Sequence, residues 1–314
     1  MDGLIMMAGL ALAVFGAHIL VDGSVVLART LRIPPLVVGA TVVGFGTSMP
    51  EFTVNFHSAL NGNTDLAIGN ILGSNIFNIC IIIGVCCLVR PLAVDSQSAG
   101  KHLPMCLISA ALVGVCGNEL YFDGINYHEL MVSDGIVFLI FFAIVLYYII
   151  ADARADRSSP EQMVNGSGML VMALPKIIAG LALLAWGGDL IVEGAEDLAK
   201  SYGMPDRLIG LWIVGPGTSL PELIASLVAV FKRQTGMVIG NVLGSNLFNV
   251  FFTLGLTSLI MPVPLDLELN RAVLMNVGVT LVLGILVWGL RKRLLSRGVG
   301  VFLILVYPGY LLVA

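Results

Sequence analysis

Long apolar runs, separated by short clusters of charged, glycine and proline residues, fill almost the whole chain. They cover residues 3–29, 35–60, 65–89, 102–118, 134–151, 172–199, 206–231, 236–260, 269–290 and 297–313. Most approach or exceed the roughly 20 residues a helix needs to cross the apolar core of a bilayer. The pattern predicts an all-α integral membrane protein with about ten transmembrane helices, the fourth and the last being the shortest. Two of the runs carry an interruption. Gly46-Thr47-Ser48-Met49-Pro50-Glu51 lies in the second, and Gly217-Thr218-Ser219-Leu220-Pro221-Glu222 in the seventh. A proline there removes a helix hydrogen bond and crowds the carbonyl four residues back, so the second helix is expected to break or kink near Gly46. In lipid, a freed carbonyl and an ionisable side chain are tolerated only where they line a cavity or bind something.

Composition agrees with a lipid solvent. Of 314 residues, 58% are hydrophobic and 11% charged, and the mean hydropathy is +0.98, whereas a soluble domain is about a quarter charged. A formal charge of −4 and a pI near 5.5 offer no basic surface for nucleic acid. Cys80, Cys86, Cys87, Cys106 and Cys116 all sit in apolar stretches without ligand spacing, and read as small buried hydrophobes. Met1-Asp2 lacks the basic region of a signal peptide, so the first run is expected to be retained as a helix. The longest connections, Asn118 to Ser133 and Asp152 to Gly168, are too short for a folded domain.

Charge placement predicts orientation. With the N-terminus outside, the inner ends and loops collect Arg29, Arg32, Arg90, Lys101, Arg154, Arg157, Lys176, Lys232, Arg233, Arg291, Lys292, Arg293 and Arg297. Only Lys200, Arg207 and Arg271 remain outside, so the positive-inside rule puts both termini outside a cell (plasma or inner) membrane. The loop bearing Glu119, Asp123 and Glu129 without a lysine or arginine agrees. Asn165-Gly166-Ser167 matches a glycosylation pattern but falls on the predicted inner side. His128 with Glu129 and Asp123 reads as a solvated outer loop.

The two interrupted helices are copies. A constant offset of 171 residues carries Glu51 onto Glu222, Pro34 onto Pro205, Gly39 onto Gly210 and Gly44 onto Gly215. It then carries Gly69-Asn70, Gly73-Ser74-Asn75, Phe77-Asn78 and Gly84 onto Gly240-Asn241, Gly244-Ser245-Asn246, Phe248-Asn249 and Gly255. The offset spans five crossings, an odd number, so the second copy enters from the opposite face. The expected architecture is two inverted five-helix repeats, 1–151 and 172–314, joined by a short cytoplasmic linker, 152–171. Such repeats place a shared site near the midplane, between discontinuous helices.

The polar residues on these helices share faces. Thr47 and Ser48 stand four and three residues before Glu51, and Asn70, Ser74 and Asn78 rise in four-residue steps. Thr218, Ser219 and Glu222 repeat the first set, and Asn241, Ser245 and Asn249 the second. The combined donors are carboxylates, amide oxygens, hydroxyls and proline-freed carbonyls, suited to a hard cation such as Ca2+. Two buried carboxylates stay ionised only with a compensating cation. One Ca2+ or a pair of Na+ ions would serve equally, so competition between the two is built in.

Gly-Thr-Ser-x-Pro-Glu followed by Gly-Asn-x-x-Gly-Ser-Asn-x-Phe-Asn, present twice, resembles the alpha repeats of the Ca2+/cation antiporter superfamily, in particular the prokaryotic sodium/calcium exchangers. The resemblance covers both repeat cores. It implies that Glu51 and Glu222 are the central ligands for both ions, flanked by Thr47, Ser48, Thr218 and Ser219. Ser74, Asn78, Ser245 and Asn249 would complete the cage, with main-chain oxygens near Gly44 and Gly215. It also implies that the first and sixth helices slide across the rest, and that more than two Na+ move per Ca2+. Some relatives, potassium-requiring ones among them, carry Asp where this chain has Asn249, which argues against potassium dependence here.

Other polar residues are read as structural. Asn70, Asn75, Asn241 and Asn246 are assigned to packing and helix breaks, and the repeated glycines to close helix approach. His18, Asp22, Asp189, Glu193, Glu196 and Asp197 are assigned to interfacial or inter-bundle contacts. Asn55 and His57 lack a like counterpart in the other copy and are left out of the site. The leading expectation is an antiporter exporting Ca2+ against inward Na+, with Ca2+ and Na+ as substrates, the bilayer as surroundings, and neither a cofactor nor a protein partner. The rivals are a proton/calcium antiporter, a cation channel, and an intramembrane hydrolase using Ser48 or Ser219, which lacks a repeated base.

Overall fold

The computed structural model of the chain describes residues 2–62, 64–96, 98–118, 129–155, 167–204, 213, 215–265, 267–290 and 293–313. Glu119, Asp123, His128, Arg157, Asn165, Pro205, Arg207, Gly210, Arg291 and Lys292, together with the expected start of the seventh span, lie outside the described residues.

Helix α1 (Asp2–Leu31) precedes a span built in pieces: α2 (Pro35–Val38), a π-helical turn (Gly39–Val43) and α3 (Gly44–Thr47). The chain turns at Ser48 and resumes as α4 (Met49–Leu60). Then α5 (Thr64–Phe77) runs through a π-helical stretch (Asn78–Ile83) into α6 (Gly84–Val89). Strand β1 (Leu92–Ala93), a π turn (Ser98–His102), α7 (Leu103–Cys116), β2 (Glu129–Leu130) and α8 (Val132–Ala155) follow. The later elements are α9 (Ser167–Ser201), α10 (Gly215–Gly217), α11 (Leu220–Phe231) and α12 (Thr235–Leu247). A second π-helical stretch (Phe248–Leu254), α13 (Gly255–Ile260), β3 (Val263–Pro264), α14 (Leu267–Gly289), β4 (Leu294–Leu295) and α15 (Arg297–Val313) complete the chain.

Among the described residues, seven helices are long and apolar enough to cross a membrane. The shorter apolar helices Pro35–Thr47, Leu220–Phe231 and Arg297–Leu311 fall in the other three expected spans. The second span breaks at Ser48, two residues beyond the expected Gly46. The proline explains the shift: its ring excludes a hydrogen bond to the Gly46 carbonyl, but its fixed φ suits a helix's first turn, so helix restarts at Met49. Ser48 (φ −82°, ψ 7°) and Ser219 (φ −91°, ψ 6°) adopt the same bridge conformation.

The chain forms two compact units, each drawing on both halves of the sequence. The first comprises Met1–Pro50 and Ala151–Asn241. In it α1 runs antiparallel to α9, backbone against backbone. Gly9 meets Gly187, Gly16 meets Gly180 and Leu184, and Gly23 meets Lys176 and Ile177; a Cβ at the first two would stand under 3.0 Å from backbone atoms. Lipid supplies no hydrophobic force between helices, so such contact must come from van der Waals packing, which small residues permit. Gly39 and Gly240 likewise admit the backbone at Met237 and Leu36, whereas Gly69, the repeat mate of Gly240, has nothing within 4 Å of a Cβ, against the expected close approach. Lys232 donates to Asp22 at 2.6 Å and to the His18 carbonyl at 3.1 Å, tying α1 to the end of α11.

The second unit comprises Glu51–Ile150 and Val242–Ala314. Its core is the α5–α6 rod, where Ile68, Ile71, Leu72, Ile76, Ile79 and Ile82 are wholly buried. Short antiparallel pairs, β1 with β4 and β2 with β3, join segments that are distant in sequence. Asn118 and Asn270 exchange amide hydrogen bonds at 2.7 and 2.9 Å. Phe52, Phe142 and Phe248 close on Phe252 with ring centroids 4.8 to 5.7 Å apart.

Among the described residues, three non-glycine residues take positive φ, and all are arginines: Arg32 (56°), Arg233 (62°) and Arg293 (46°). Two of them have repeat mates that are glycines in the same conformation, Gly203 and Gly62, both at 74°.

Candidate cation site

Every expected site residue whose burial is described is withdrawn from solvent, Thr218 only partly. Thr47, Ser48, Glu51, Ser74, Asn78, Ser219, Glu222, Ser245 and Asn249 are each at most 1% exposed, and Gly44 is buried. A carboxylate with no access to water needs protein donors or a cation around it.

The first unit holds Gly44, Thr47, Ser48, Gly215, Thr218, Ser219 and Glu222. Glu222 lies in the first turn of α11, beyond the break at Ser219 and next to the proline. Ser48, at the other break, donates its Oγ to Glu222 Oε1 at 2.8 Å, so a hydroxyl from one copy of the motif serves the carboxylate of the other. Thr47 Oγ1 donates back to the Val43 carbonyl at 2.9 Å and lies 3.3 Å from Asn241 Oδ1. Gly215 lies in α10.

The second unit holds Glu51, Ser74, Asn78, Ser245 and Asn249. Ser74 Oγ donates to Glu51 Oε1 at 3.2 Å, and Asn249 Nδ2 donates to Ser74 Oγ at 3.2 Å. Carboxylate, hydroxyl and amide thus form a chain drawn from both copies of the repeat. Asn78 and Asn249 sit where α5 and α12 give way to π-helical stretches. Such a stretch adds a residue to the turn and is frequent at functional sites. The Oδ1 atoms of Asn78 and Asn249 are buried and accept no hydrogen bond among the described residues. An amide oxygen in that state costs about 1–3 kcal/mol unless something electropositive occupies the space before it.

Two residue pairs assigned to packing make hydrogen bonds to the expected site residues. Asn70 Nδ2 reaches the Glu51 carbonyl at 3.5 Å and Asn55 Oδ1 at 3.1 Å. Its mate Asn241 reaches the Glu222 carbonyl at 3.3 Å and Ser226 Oγ at 2.9 Å. Each therefore pins the backbone turn that carries a carboxylate. Asn55, set aside because its mate is a serine, is the acceptor in this arrangement, and a pairing rule allowing any short acceptor would have found it. Asn75 and Asn246 exchange side-chain to backbone bonds at 3.4 and 3.3 Å, and their Oδ1 atoms accept from Asn249 Nδ2 (3.2 Å) and Asn78 Nδ2 (3.0 Å). Of the acidic residues of α1 and α9, Asp22 pairs with Lys232 and Glu196 with Lys200.

Comparison with known proteins points the same way. Residues 3–151 and 172–314 match the family model described as sodium/calcium exchanger protein. The chain is 36% identical to inner membrane protein YrbG of Escherichia coli over 95% of its own length and 92% of that protein. It is 27% identical to sodium/calcium exchanger MaX1 of Methanosarcina acetivorans, with 99% and 97% of the two chains covered. A solved structure of the sodium-calcium exchanger NCX_Mj, soaked with Na+ and Sr2+, superposes with a TM-score of 0.84 at 30% identity, covering 98% of this chain and 96% of that one. This multi-pass membrane protein belongs to the sodium/calcium exchanger family.

Proposed function

We propose that the chain is a secondary antiporter that moves Ca2+ out of the cell in exchange for several Na+ by alternating access, across a cell membrane with both termini outside. In this reading the two five-helix halves are inverted repeats. Glu51, Glu222, Asn78, Asn249, Thr47, Ser48, Thr218, Ser219, Ser74 and Ser245, with the main chain near Gly44 and Gly215, ligate both ions. The observation that carries the reading is the pair of buried amide oxygens, on Asn78 and Asn249, that have no donor among the described residues, in a unit that also buries the Glu51 carboxylate. Oxygen donors of this kind, without sulfur or imidazole, suit Na+ and Ca2+.

Two carboxylates balance one Ca2+ or two Na+, so either cargo neutralises the site and the ions exclude one another. A third Na+ would use the neutral hydroxyl and amide donors and leave one net positive charge moving inward per cycle. Exchange would then respond to membrane potential. The test is Ca2+ uptake into proteoliposomes under an imposed outward Na+ gradient, with the potential clamped at two values. Uptake should require internal Na+ and run faster with the interior positive than with it negative, because net positive charge leaves with Na+ as Ca2+ enters. Uptake that ignores Na+ and follows a pH gradient would establish the proton-coupled alternative.

A further inference from the structure

We infer that Asn75 and Asn246 are positioning residues, which orient the side-chain amides of Asn78 and Asn249 so that each turns its oxygen, and not its amino group, towards the cation. The inference rests on the proposed role of Asn78 and Asn249 as ligands. An asparagine amide rotated by half a turn exchanges an acceptor for two donors in nearly the same volume. Beside a cation the first orientation attracts and the second repels, and nothing within Asn78 itself chooses between them.

The choice is made by atoms that cannot be reversed. The Asn246 main-chain carbonyl only accepts, so the amino group of Asn75 must face it, at 3.4 Å. That leaves Asn75 Oδ1 to receive Asn249 Nδ2 at 3.2 Å, and the second amino hydrogen of Asn249 goes to Ser74 Oγ at 3.2 Å. The mirror arrangement runs from the Asn75 carbonyl through Asn246 Nδ2 at 3.3 Å, and from Asn246 Oδ1 to Asn78 Nδ2 at 3.0 Å. Both ligand amides thereby have their amino groups committed, and both Oδ1 atoms remain buried without a donor among the described residues. Rotating either ligand amide would set oxygen against oxygen. All four asparagines lie in the second unit, related in pairs by the 171-residue repeat.

The test exploits the symmetry of a carboxylate, whose two oxygens need no orienting. In the purified full-length chain, Asn246→Leu should raise the Ca2+ concentration for half-maximal thermal stabilisation about ten- to hundredfold, the usual scale for removing a partner that orients a metal ligand. In an Asn78→Asp background the same Asn246→Leu change should cost less than about threefold relative to Asn78→Asp alone, a coupling that double-mutant analysis detects. Asn246→Asp, which is isosteric, keeps the acceptor for Asn78 and loses the donor to the Asn75 carbonyl, so it should fall well short of the Leu effect. An unchanged half-saturation in Asn246→Leu would overturn the inference. So would an equal loss in the Asn78→Asp background, or an Asn246→Asp loss matching that of Leu, since either would mean that Asn246 only bridges helices. Wild-type protein that Ca2+ fails to stabilise would instead refute the proposed function.

Discussion

Placing a methyl group between α1 and α9 at Gly180 tests whether direct backbone contact holds the first unit together. A Cβ there would stand 2.6 Å from the Leu20 amide nitrogen and 2.8 Å from the Gly16 carbonyl oxygen. Ordinary contact begins near 3.5 Å, so the helices must part by about 0.9 Å. A gap of that size forfeits roughly a quarter to a half of the dispersion energy at neighbouring contacts, and overpacking of this kind costs about 1–3 kcal/mol. Against it stands a helix-propensity gain of about 1 kcal/mol for Gly→Ala. Gly278 on α14 supplies the control, because a Cβ there meets nothing within 4 Å and only the gain applies. Gly180→Ala is therefore expected to be about 1–3 kcal/mol less stable than Gly278→Ala, with melting in detergent followed by tryptophan fluorescence. Gly16→Ala should behave like Gly180→Ala, and the double variant should lose less than the sum, because both methyls open the same gap. Gly180→Ala melting at or above Gly278→Ala would refute the contact argument.

Glu51→Gln and Glu222→Gln should each abolish Ca2+ uptake while leaving a monodisperse protein, and a variant that exchanges at the wild-type rate would remove that residue from the site. Ser48→Ala and Ser74→Ala each delete a hydrogen bond to a buried carboxylate, worth about 1.5–3 kcal/mol, so Ca2+ half-saturation should rise about ten- to hundredfold. The shorter bond, 2.8 Å from Ser48 against 3.2 Å from Ser74, predicts the larger effect for Ser48→Ala, and uptake titrations giving the reverse order would contradict it. Pro216, where the first copy has Phe45, removes a further backbone donor. Amide exchange followed by mass spectrometry should be faster around Thr218 than around Thr47, and equal protection would show that the extra proline does not loosen the turn.

Hydropathy and the repeat made the expected spans legible, because apolar run length is read directly from residues. The break in the second span was displaced by two residues, since a proline's steric demand and its favoured helix position point to different places. The π-helical stretches at Asn78 and Phe248 leave no mark on hydropathy: one extra residue in a buried turn does not alter which residues are apolar. Asn70, Asn75, Asn241 and Asn246 were visible as polar positions repeated at the 171-residue offset, but sequence alone does not say whether an amide faces a carbonyl, another amide or an ion. The buried carboxylates were legible because proline and acid side by side in lipid have few structural explanations. The glycine pairs divided for a similar reason: Gly240 faces the backbone at Leu36 while Gly69 faces open space, and both read alike in the chain.

The arginines at positive φ separate two halves that otherwise match. A left-handed residue is needed where each of these helices ends, and glycine fills that need without strain at Gly62 and Gly203. At the corresponding turns the chain keeps Arg233 and Arg32, accepting a backbone penalty of about 1 kcal/mol or more apiece. Two copies of one motif that run in opposite directions would give an inserting chain no means of telling one side of the membrane from the other. On the proposed orientation every strained arginine falls on the same side. On that orientation folding energy would be exchanged for a signpost, and an ion gradient of fixed sign is useful only to a transporter that always faces the same way.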